Sequence, residues 1–238
     1  GIIKPGVPVF VGLQPPSTYR VFVSTARERG SPLSFLGDEV STLHSTVDAD
    51  GTTLTLQLRG EQRQEFRLSL LGEFQAENAA LAYLALRRTM PDIPLAAFHD
   101  GFRDTRLPGR MEIRGGSPVI VLDGAHTPLA VTRMLASFQA VFPGDAVLLF
   151  GSVSGKKPRE MASILAPAFS QVIVSTPGTF KESDPESVAE IFRGFNPSTV
   201  LEKDPVRALA RAREASGGTL PILVTGSFYM IGEIGRLL

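Results

Sequence analysis

The residues with the clearest capacity for chemistry lie in the stretch LDGAHTPLA, residues 122–130, which directly follows an apolar run. Thr127 and Pro128 are typical of the cap and the first position of a helix. Asp123 and His126 are therefore predicted on the loop at the carboxyl end of a parallel strand, where open α/β sheets bind ligands. A carboxylate there can accept hydrogen bonds from a ribose, and free N–H groups can face a phosphate. The alternative is that Asp123 caps a turn and His126 lies on the surface.

A second candidate is the segment GSVSGKK, residues 151–157. A phosphate loop of the Walker type needs four residues between its glycines and a Ser or Thr after the lysine, and this segment has neither. Lys156 remains a candidate for binding an anionic substrate group, and the alternative is a solvated lysine pair. Ser227 follows the apolar run PILVT without a G-x-S-x-G pattern, so it can equally be a helix cap.

Metal and dinucleotide sites are not predicted from this sequence. The three histidines are scattered and have no metal-ligand spacing. No G-x-G-x-x-G segment follows a strand, and cysteine is absent, which excludes disulfides and thiolate chemistry.

The composition of the chain limits the class of protein to which these residues belong. The chain has 238 residues, 43% of them apolar, and its 24 acidic side chains balance 24 basic ones. Nucleic acid and anionic membranes favour an excess of positive charge, so neither is expected as a partner. No apolar run reaches the ~18 residues that span a bilayer, and a soluble cytoplasmic protein is expected. Because the chain starts with Gly1 and runs straight into a strand-like segment, we expect it to begin inside a longer protein.

The elements that must position the candidate residues differ between the two halves of the chain. Residues 1–70 show strand-like patterns at VPVFVGL, YRVFVST, TTLTLQL and FRLSL, with Asp50-Gly51 as a hairpin turn. A helix follows over AENAALAYLALRRT, and a second one is predicted from Leu95 to Phe102 after Pro94.

Beyond a linker at residues 106–110, short apolar runs alternate with helical segments, which is typical of a parallel sheet covered on both faces. The predicted strands are Val119–Leu122, Ala146–Phe150, Val172–Val174 and Ile222–Val224. The predicted helices are Leu129–Val141, Arg159–Phe169, Pro185–Phe195, Val206–Ala215 and Tyr229–Leu238. The fold class is therefore α/β: a Rossmann-like domain with a mainly parallel sheet over residues 107–238, preceded by an α+β part.

Four segments together resemble the bifunctional folylpolyglutamate synthase/dihydrofolate synthase family of the Mur ligase superfamily. They are GIIKPGVPVFVG at 1–12, GEFQAENAALAYLA at 72–85, LPGRMEI through DGAHTP at 107–128, and VTGSFYMIGE at 224–233. The resemblance covers nearly the whole chain in collinear order. It implies that residues 1–106 are the C-terminal part of a central ATPase domain, that residues 107–238 are the glutamate ligase domain, and that ATP lies between them.

The resemblance also implies roles for six residues. Asn78 is implied to contact the adenine, Arg110 the phosphates, Asp123 the ribose and His126 the region near the phosphates. Arg110 and His126 are thereby implied as catalytic residues, and Arg110 and Asp123 are expected to converge on one ligand. The two residues implied near the incoming glutamate are Lys156 and Ser227.

The implied activity is an ATP-dependent ligation that proceeds through an acyl phosphate. L-Glutamate and dihydropteroate or folate are the implied substrates, ATP and Mg²⁺ the implied cofactors, and a monomer is expected. The family's phosphate loop and magnesium ligands match no segment of this chain, and we expect them in a missing N-terminal half. The chain alone is therefore expected to be an inactive fragment.

Two alternatives remain open at this stage. The chain could be a non-catalytic module that binds a nucleotide or glutamate. It could also belong to a peptidoglycan-precursor Mur ligase, because Thr127 stands where the folate-related family usually has Asn and His-Thr-Pro also occurs in the peptidoglycan branch.

Overall fold

The computed structural model describes residues Gly1–Leu238, which form two units. The first unit comprises Gly1–Ser69 and Glu73–Thr105, and the second comprises Leu70–Gly72 and Arg106–Leu238. The division after Thr105 falls beside the predicted boundary at 106/107. The assignment of the first unit to a central ATPase domain stays a prediction.

The first unit contains two small sheets. Its elements are β1 Val9–Val11, α1 Pro16–Glu28, β2 Leu33–Phe35, α2 Leu36–Glu39, β3 Val40–Asp48, β4 Gly51–Leu58, β5 Gln64–Leu68, α3 Glu73–Thr89 and α4 Leu95–Asp104. Strands β1 and β2 pair in parallel, and β3, β4 and β5 form an antiparallel sheet in chain order.

The prediction of a strand over YRVFVST, residues 19–25, was wrong, because these residues lie within helix α1. Pro16 occupies the first turn of the helix, where its fixed φ fits. Tyr19 and Phe22 contact the ring of Phe35 at centroid distances of 4.2 and 6.3 Å, while Val21 remains 65% exposed. The side chains that pack are thus three residues apart, which is the helical period.

The antiparallel sheet of the first unit packs against helices α3 and α4. Alternate residues of β4 and β5 (Leu54, Leu56, Leu58, Phe66 and Leu68) are buried together with residues of both helices. The helix predicted over AENAALAYLALRRT is confirmed as part of α3, and the helix predicted from Leu95 as α4. The Asp50-Gly51 hairpin is also confirmed, but the strand before it is β3, which was not predicted.

The second unit alternates strands and helices. Its elements are β6 Glu112–Arg114, β7 Ile120–Leu122, α5 Pro128–Val141, β8 Val147–Phe150, α6 Pro158–Leu165, a 3-10 turn Ala166–Ala168, β9 Gln171–Val174, α7 Pro185–Arg193, β10 Thr199–Leu201, α8 Pro205–Ala215, β11 Ile222–Thr225 and α9 Phe228–Gly235. All four strands and five helices predicted for this part are present; the short strands β6 and β10 were not predicted.

The six strands of the second unit form one sheet in the order β10-β9-β8-β11-β7-β6. Every pairing is parallel except that of the edge strand β6 with β7. The predicted α/β fold with a mainly parallel sheet is confirmed. Strand β11 pairs with both β7 and β8, although it comes last among the strands, so it separates two strands that are successive in the chain.

Both faces of this sheet are covered, which explains its continuous apolar strands. On one face, Ile120, Leu149 and Val224 belong to a core that includes buried residues of α8 and α9. On the other, Phe150 contacts Phe192 of α7 at a ring-centroid distance of 4.7 Å. This packing on both faces fixes the positions at which the loops after the strands begin.

A separate observation concerns membranes. None of the helices combines the length and the apolar character that a bilayer crossing requires.

Candidate functional site

The candidate residues of the second unit gather where β7, β8 and β11 end. Leu122 pairs with Val224, and Phe150 pairs with Thr225, so the three carboxyl ends lie side by side. The chain order β7, β8, then β11 between them makes this a topological switch point, the position at which open α/β sheets bind ligands. The loops that follow these strands begin at Asp123, Gly151 and Gly226.

Asp123 is deeply buried, with only 3% of its surface exposed. Its Oδ1 accepts a hydrogen bond from the Ala125 N–H at 2.8 Å, and its Oδ2 accepts one from the Met111 N–H at 2.9 Å. Asp123 therefore does cap a turn, as one of the two interpretations of the sequence predicted. Contact with a ribose stays a prediction, and it would require the carboxylate to accept further bonds at a site the fold shields from water.

The pKa of Asp123 is raised, chiefly because burial disfavours its charged form. The N–H bonds from Met111 and Ala125 and the positive charge of Arg110 oppose this shift. The convergence of Arg110 and Asp123 on one ligand stays a prediction.

The backbone beside Arg110 is held in an unusual conformation. Met111 has a φ of +48°, the only positive φ of a residue other than glycine, and such a conformation is uncommon for side-chain-bearing residues. Its N–H is the group that donates to Asp123. Asp123 thus holds the backbone of Met111. Because Arg110 precedes Met111, this bond also fixes the point from which the Arg110 side chain extends.

The Arg110 guanidinium packs against an aromatic ring from another loop. Its Cζ lies 4.5 Å from the centroid of the Phe228 ring. The ring of His126 lies 6.2 Å from the same ring in an edge-on arrangement. Arg110 and His126, the two residues implied as catalytic, thus share one neighbour.

The orientation of His126 follows from one hydrogen bond. Its Nδ1 lies 2.8 Å from the Gly124 carbonyl oxygen, and because a carbonyl only accepts, the hydrogen-bond network assigns a proton to Nδ1. Nε2 is then the ring nitrogen that can meet a ligand. His126 is partly exposed, between buried Ala125 and exposed Thr127.

Thr127 and Ser227 are both helix caps. Thr127 caps α5 by accepting from the Ala130 N–H at 3.3 Å, and Pro128 follows at the first helical position, as predicted. Ser227 caps α9 by accepting from the Met230 N–H at 3.0 Å, and its hydroxyl donates to the Gly151 carbonyl at 3.0 Å. With 3% exposure and its only hydrogen already donated, Ser227 serves the fold; its contact with glutamate stays a prediction.

The other two predicted residues lie elsewhere. Lys156 is half-buried in the loop after β8, at the same carboxyl edge of the sheet. Asn78 belongs to the first unit, where it is exposed on α3 and its Nδ2 donates to Gln75 Oε1 at 3.1 Å. The roles implied for both residues stay predictions.

The chemistry of this edge suits an anion. Arg110 offers a permanent cation, His126 a partly exposed imidazole, and Lys156 a further cation. No three His, Asp or Glu side chains group together as a preformed metal site.

Phe228 and the glycines around it were missed in the sequence. Phe228 is 42% exposed although it starts an otherwise apolar helix, and a Cβ on Gly124 would lie 2.5 Å from its ring. Two exposed aromatic residues directly after the strand run PILVT and its Gly-Ser were an available signal. Arg110, the neighbour of Phe228, is more than a hundred residues away in sequence, so spacing could not reveal the contact.

Comparison with known proteins agrees with this architecture. The family model for "Mur ligase, glutamate ligase domain" matches residues 109–228, half of the chain. A probable bifunctional folylpolyglutamate synthase/dihydropteroate synthase of Haloferax volcanii is 33% identical over 189 residues, covering 79% of this chain and 21% of that protein. The dihydrofolate synthase/folylpolyglutamate synthase of Bacillus subtilis is 25% identical over 246 residues, covering 100% of this chain and 56% of that protein.

Among solved structures, folylpolyglutamate synthase of Mycobacterium tuberculosis with ADP and AMPPCP superimposes with a TM-score of 0.87. The match covers 97% of this chain and 55% of that one at 24% identity, so it bears on the fold. The fold and the switch-point site define a ligase domain of the Mur type. The chain belongs to the Mur ligase superfamily, in its folylpolyglutamate synthase/dihydrofolate synthase family. It spans about half the length, or less, of the curated relatives described here.

Proposed function

We propose that this chain is the glutamate ligase part of an ATP-dependent enzyme that joins L-glutamate to dihydropteroate or folate. The observation that carries the proposal is that Arg110 and His126 both lie against the Phe228 ring, at 4.5 and 6.2 Å from its centroid, at the switch point of a Mur-type ligase domain. Relatives named as folylpolyglutamate synthases support the choice of substrates.

The proposed reaction has two steps. A carboxylate oxygen of the pterin substrate first takes the γ-phosphoryl group of ATP, which gives an acyl phosphate and ADP. The amino group of glutamate then attacks the acyl carbon, an amide forms, phosphate leaves, and the amine loses a proton. Negative charge spreads over the transferring phosphoryl group in the first step, and positive side chains stabilise it.

Each residue at the edge has a proposed role in this reaction. Arg110 binds the phosphoryl oxygens as their charge develops, and His126 contacts the same region through Nε2. Lys156 pairs with a carboxylate of the incoming glutamate. Asp123 contacts the ribose, and it also holds the backbone from which Arg110 extends. Asn78, in the first unit, contacts the adenine.

The chain is proposed to need a separate phosphate-binding part. No segment of its sequence has the G-x-x-x-x-G-K-[ST] pattern, and no three metal-ligating side chains group together in the structure. We therefore propose that ATP and Mg²⁺ are held mainly by residues outside this chain, that the 238 residues alone are inactive, and that the complete enzyme is a monomer.

Arg110→Ala in the complete protein tests the proposal. We expect kcat to fall by about 100-fold while the KM for ATP changes less, because removing a donor to developing charge typically costs that much. Arg213→Ala, an exposed arginine in the last turn of α8, is the matched control and should leave both constants unchanged. An unaltered kcat in Arg110→Ala would remove Arg110 from the proposed site.

The same assay separates the substrates. Turnover is measured with dihydropteroate, with folate, and with a nucleotide-linked muramyl acid. Turnover with only the last of these would replace the proposal by the peptidoglycan-precursor alternative. Binding of ATP or glutamate without turnover of any of the three would favour the non-catalytic module.

A further inference from the structure

We propose that Phe228 is a positioning residue that holds the Arg110 guanidinium in place for phosphoryl transfer. The inference rests on the proposed function, since Arg110 must act on the reaction for Phe228 to matter through it. Phe228 itself touches no reacting atom in this proposal. Its effect on turnover passes through the guanidinium.

The first argument is the contact itself. The Arg110 Cζ lies 4.5 Å from the Phe228 ring centroid, within the range of a cation–π interaction. An arginine side chain has several rotatable bonds and about 2 kcal/mol of rotamer entropy, so an unsupported guanidinium would sample many positions. The ring face restricts those positions without neutralising the charge, whereas a carboxylate partner would compete with a phosphate.

The second argument is that the ring has little freedom to move. A Cβ on Gly124 would lie 2.5–2.7 Å from three atoms of the Phe228 ring, and one on Gly109 would lie 3.5 Å from it. The ring therefore rests directly on backbone that has no side chains. The Gly124 N–H also donates to the Gly109 carbonyl at 2.9 Å, and this bond joins the two loop segments that support the ring.

The third argument is the anchoring of the Phe228 backbone. Phe228 is the first residue of α9, and its predecessor Ser227 bonds both to Met230 within the helix and to Gly151 after β8. Its ring then reaches the loop after β7, where it lies near Arg110 and His126. Phe228 thus fixes two predicted catalytic residues relative to the sheet.

The neighbouring aromatic residue provides a control. Tyr229 is 37% exposed, close to the 42% of Phe228, but its ring stacks on Phe180 at 5.6 Å. Replacement of either residue by leucine removes an exposed ring from the first turn of the same helix. Only Phe228→Leu removes the ring beneath Arg110.

A double-mutant cycle in the complete protein tests the inference, with Phe228→Leu, Arg110→Ala and the double variant. Phe228→Leu should lower kcat about three- to tenfold, with a smaller change in the KM for ATP, as expected for a misplaced transition-state contact. In the Arg110→Ala background the same change should alter kcat less than about twofold. Tyr229→Leu should behave like the unmodified enzyme.

Two further variants separate positioning from packing. Incorporation of 3,5-difluorophenylalanine at position 228 keeps the ring shape but weakens its negative face, so kcat should fall while the thermal unfolding midpoint stays constant. Gly124→Ala adds the Cβ that the ring cannot accommodate, and it should lower kcat with Arg110 and Phe228 both present.

The outcomes distinguish the inference from the proposed function. If Arg110→Ala leaves kcat unchanged, the proposed role of Arg110 fails and the inference fails with it. If Arg110→Ala lowers kcat but Phe228→Leu lowers it equally in both backgrounds, the proposed function stands and the positioning role is overturned. Full activity of the difluorophenylalanine enzyme would likewise overturn it.

Discussion

At the scale of residues, Asp123 is a carboxylate that the fold shields from water and supplies with two N–H donors. Its oxygens hold Met111 at positive φ and close the turn to Ala125. Asparagine has the same shape but only one oxygen. In Asp123→Asn, either the Met111 or the Ala125 N–H would face an NH₂ group. We expect a loss of about 1–3 kcal/mol in the free energy of unfolding, measured by urea denaturation.

Asp184→Asn is the matched control for this substitution. Asp184 is exposed and caps α7 by accepting from the Ser187 N–H through one oxygen, a role that asparagine also fills. Its stability should change by less than about 0.5 kcal/mol. Equal effects of the two substitutions would show that the buried bonds of Asp123 do not hold the loop.

Much of the candidate site could be predicted at this scale, because its residues are local to one loop. Asp123, His126, Thr127 and Pro128 follow a strand and open a helix, and each occupies the structural position that the sequence pattern predicts. Phe228 could not be predicted, because its partners come from two other segments.

At the scale of elements, two of the helix caps of the second unit, Ser227 and Thr127, differ in burial. Ser227 is buried and makes two hydrogen bonds, whereas Thr127 is exposed and makes one long bond at 3.3 Å. Ser227→Ala leaves the Gly151 carbonyl and the Met230 N–H without their hydrogen-bond partner at a site that is buried from water. We expect it to cost about 2 kcal/mol in denaturant unfolding, against about 1 kcal/mol or less for Thr127→Ala. The reverse order would contradict this assignment.

The three-stranded sheet of the first unit contains a pH-sensitive contact. Arg67 on β5 donates to both oxygens of Asp48 on β3 and to Thr53 on β4, and the bond to Arg67 lowers the pKa of Asp48. Asp48 therefore stays charged to lower pH in the folded state than in the unfolded chain. Its stabilising contribution is present above its usual pKa and is lost as pH falls through the lowered value.

Asp48→Asn should accordingly reduce the loss of stability as the pH falls below the ordinary pKa of an aspartate, about 4. The measurement is the urea midpoint at each pH for the original and variant proteins. Arg67→Met removes the largest cause of the shift but leaves the backbone hydrogen bonds from Asp50 and Gly51, so Asp48→Asn should change the pH dependence less in that background. A difference of undiminished size there would assign the effect to a group other than Arg67. Because both side chains are exposed, the effect should be modest.

Element prediction succeeded where burial on both faces produced unbroken apolar runs, as in β8 and β11. It failed at α1, where β-branched residues suggested a strand although tertiary packing through Tyr19 and Phe22 selects a helix. Strand β3 was missed because half-buried and exposed residues alternate along it without a strongly apolar face.

At the scale of the whole molecule, the chain is expected to depend on a phosphate-binding partner. Incubation of the purified 238-residue chain with ATP, magnesium, dihydropteroate and glutamate should release no phosphate above background. The complete protein, assayed in parallel, should release phosphate only when all four are present. Turnover by the 238-residue chain would contradict the proposed need for a separate phosphate loop.

A linker at residues 106–110 could be predicted because Pro108 and Gly109 interrupt both periodicities, whereas the grouping of Leu70–Gly72 with the second unit left no signal in the sequence. The function of the first unit could be predicted less well than that of the second. Residues 109–228 match a family model. The roles of first-unit residues such as Asn78 rest on the resemblance alone.

The order of strands in the second unit also determines when, during synthesis, the carboxyl edge of β7, β8 and β11 is completed. Strand β11 lies between β7 and β8 and bonds to both, yet it is made after every other strand. During synthesis, the loops that start at Asp123 and Gly151 are therefore made early. The strands that carry them are not joined until Ile222–Thr225 has been made and pairs with both. This edge is consequently completed late in biosynthesis, and a polypeptide interrupted before β11 would lack one of the three strands that form it.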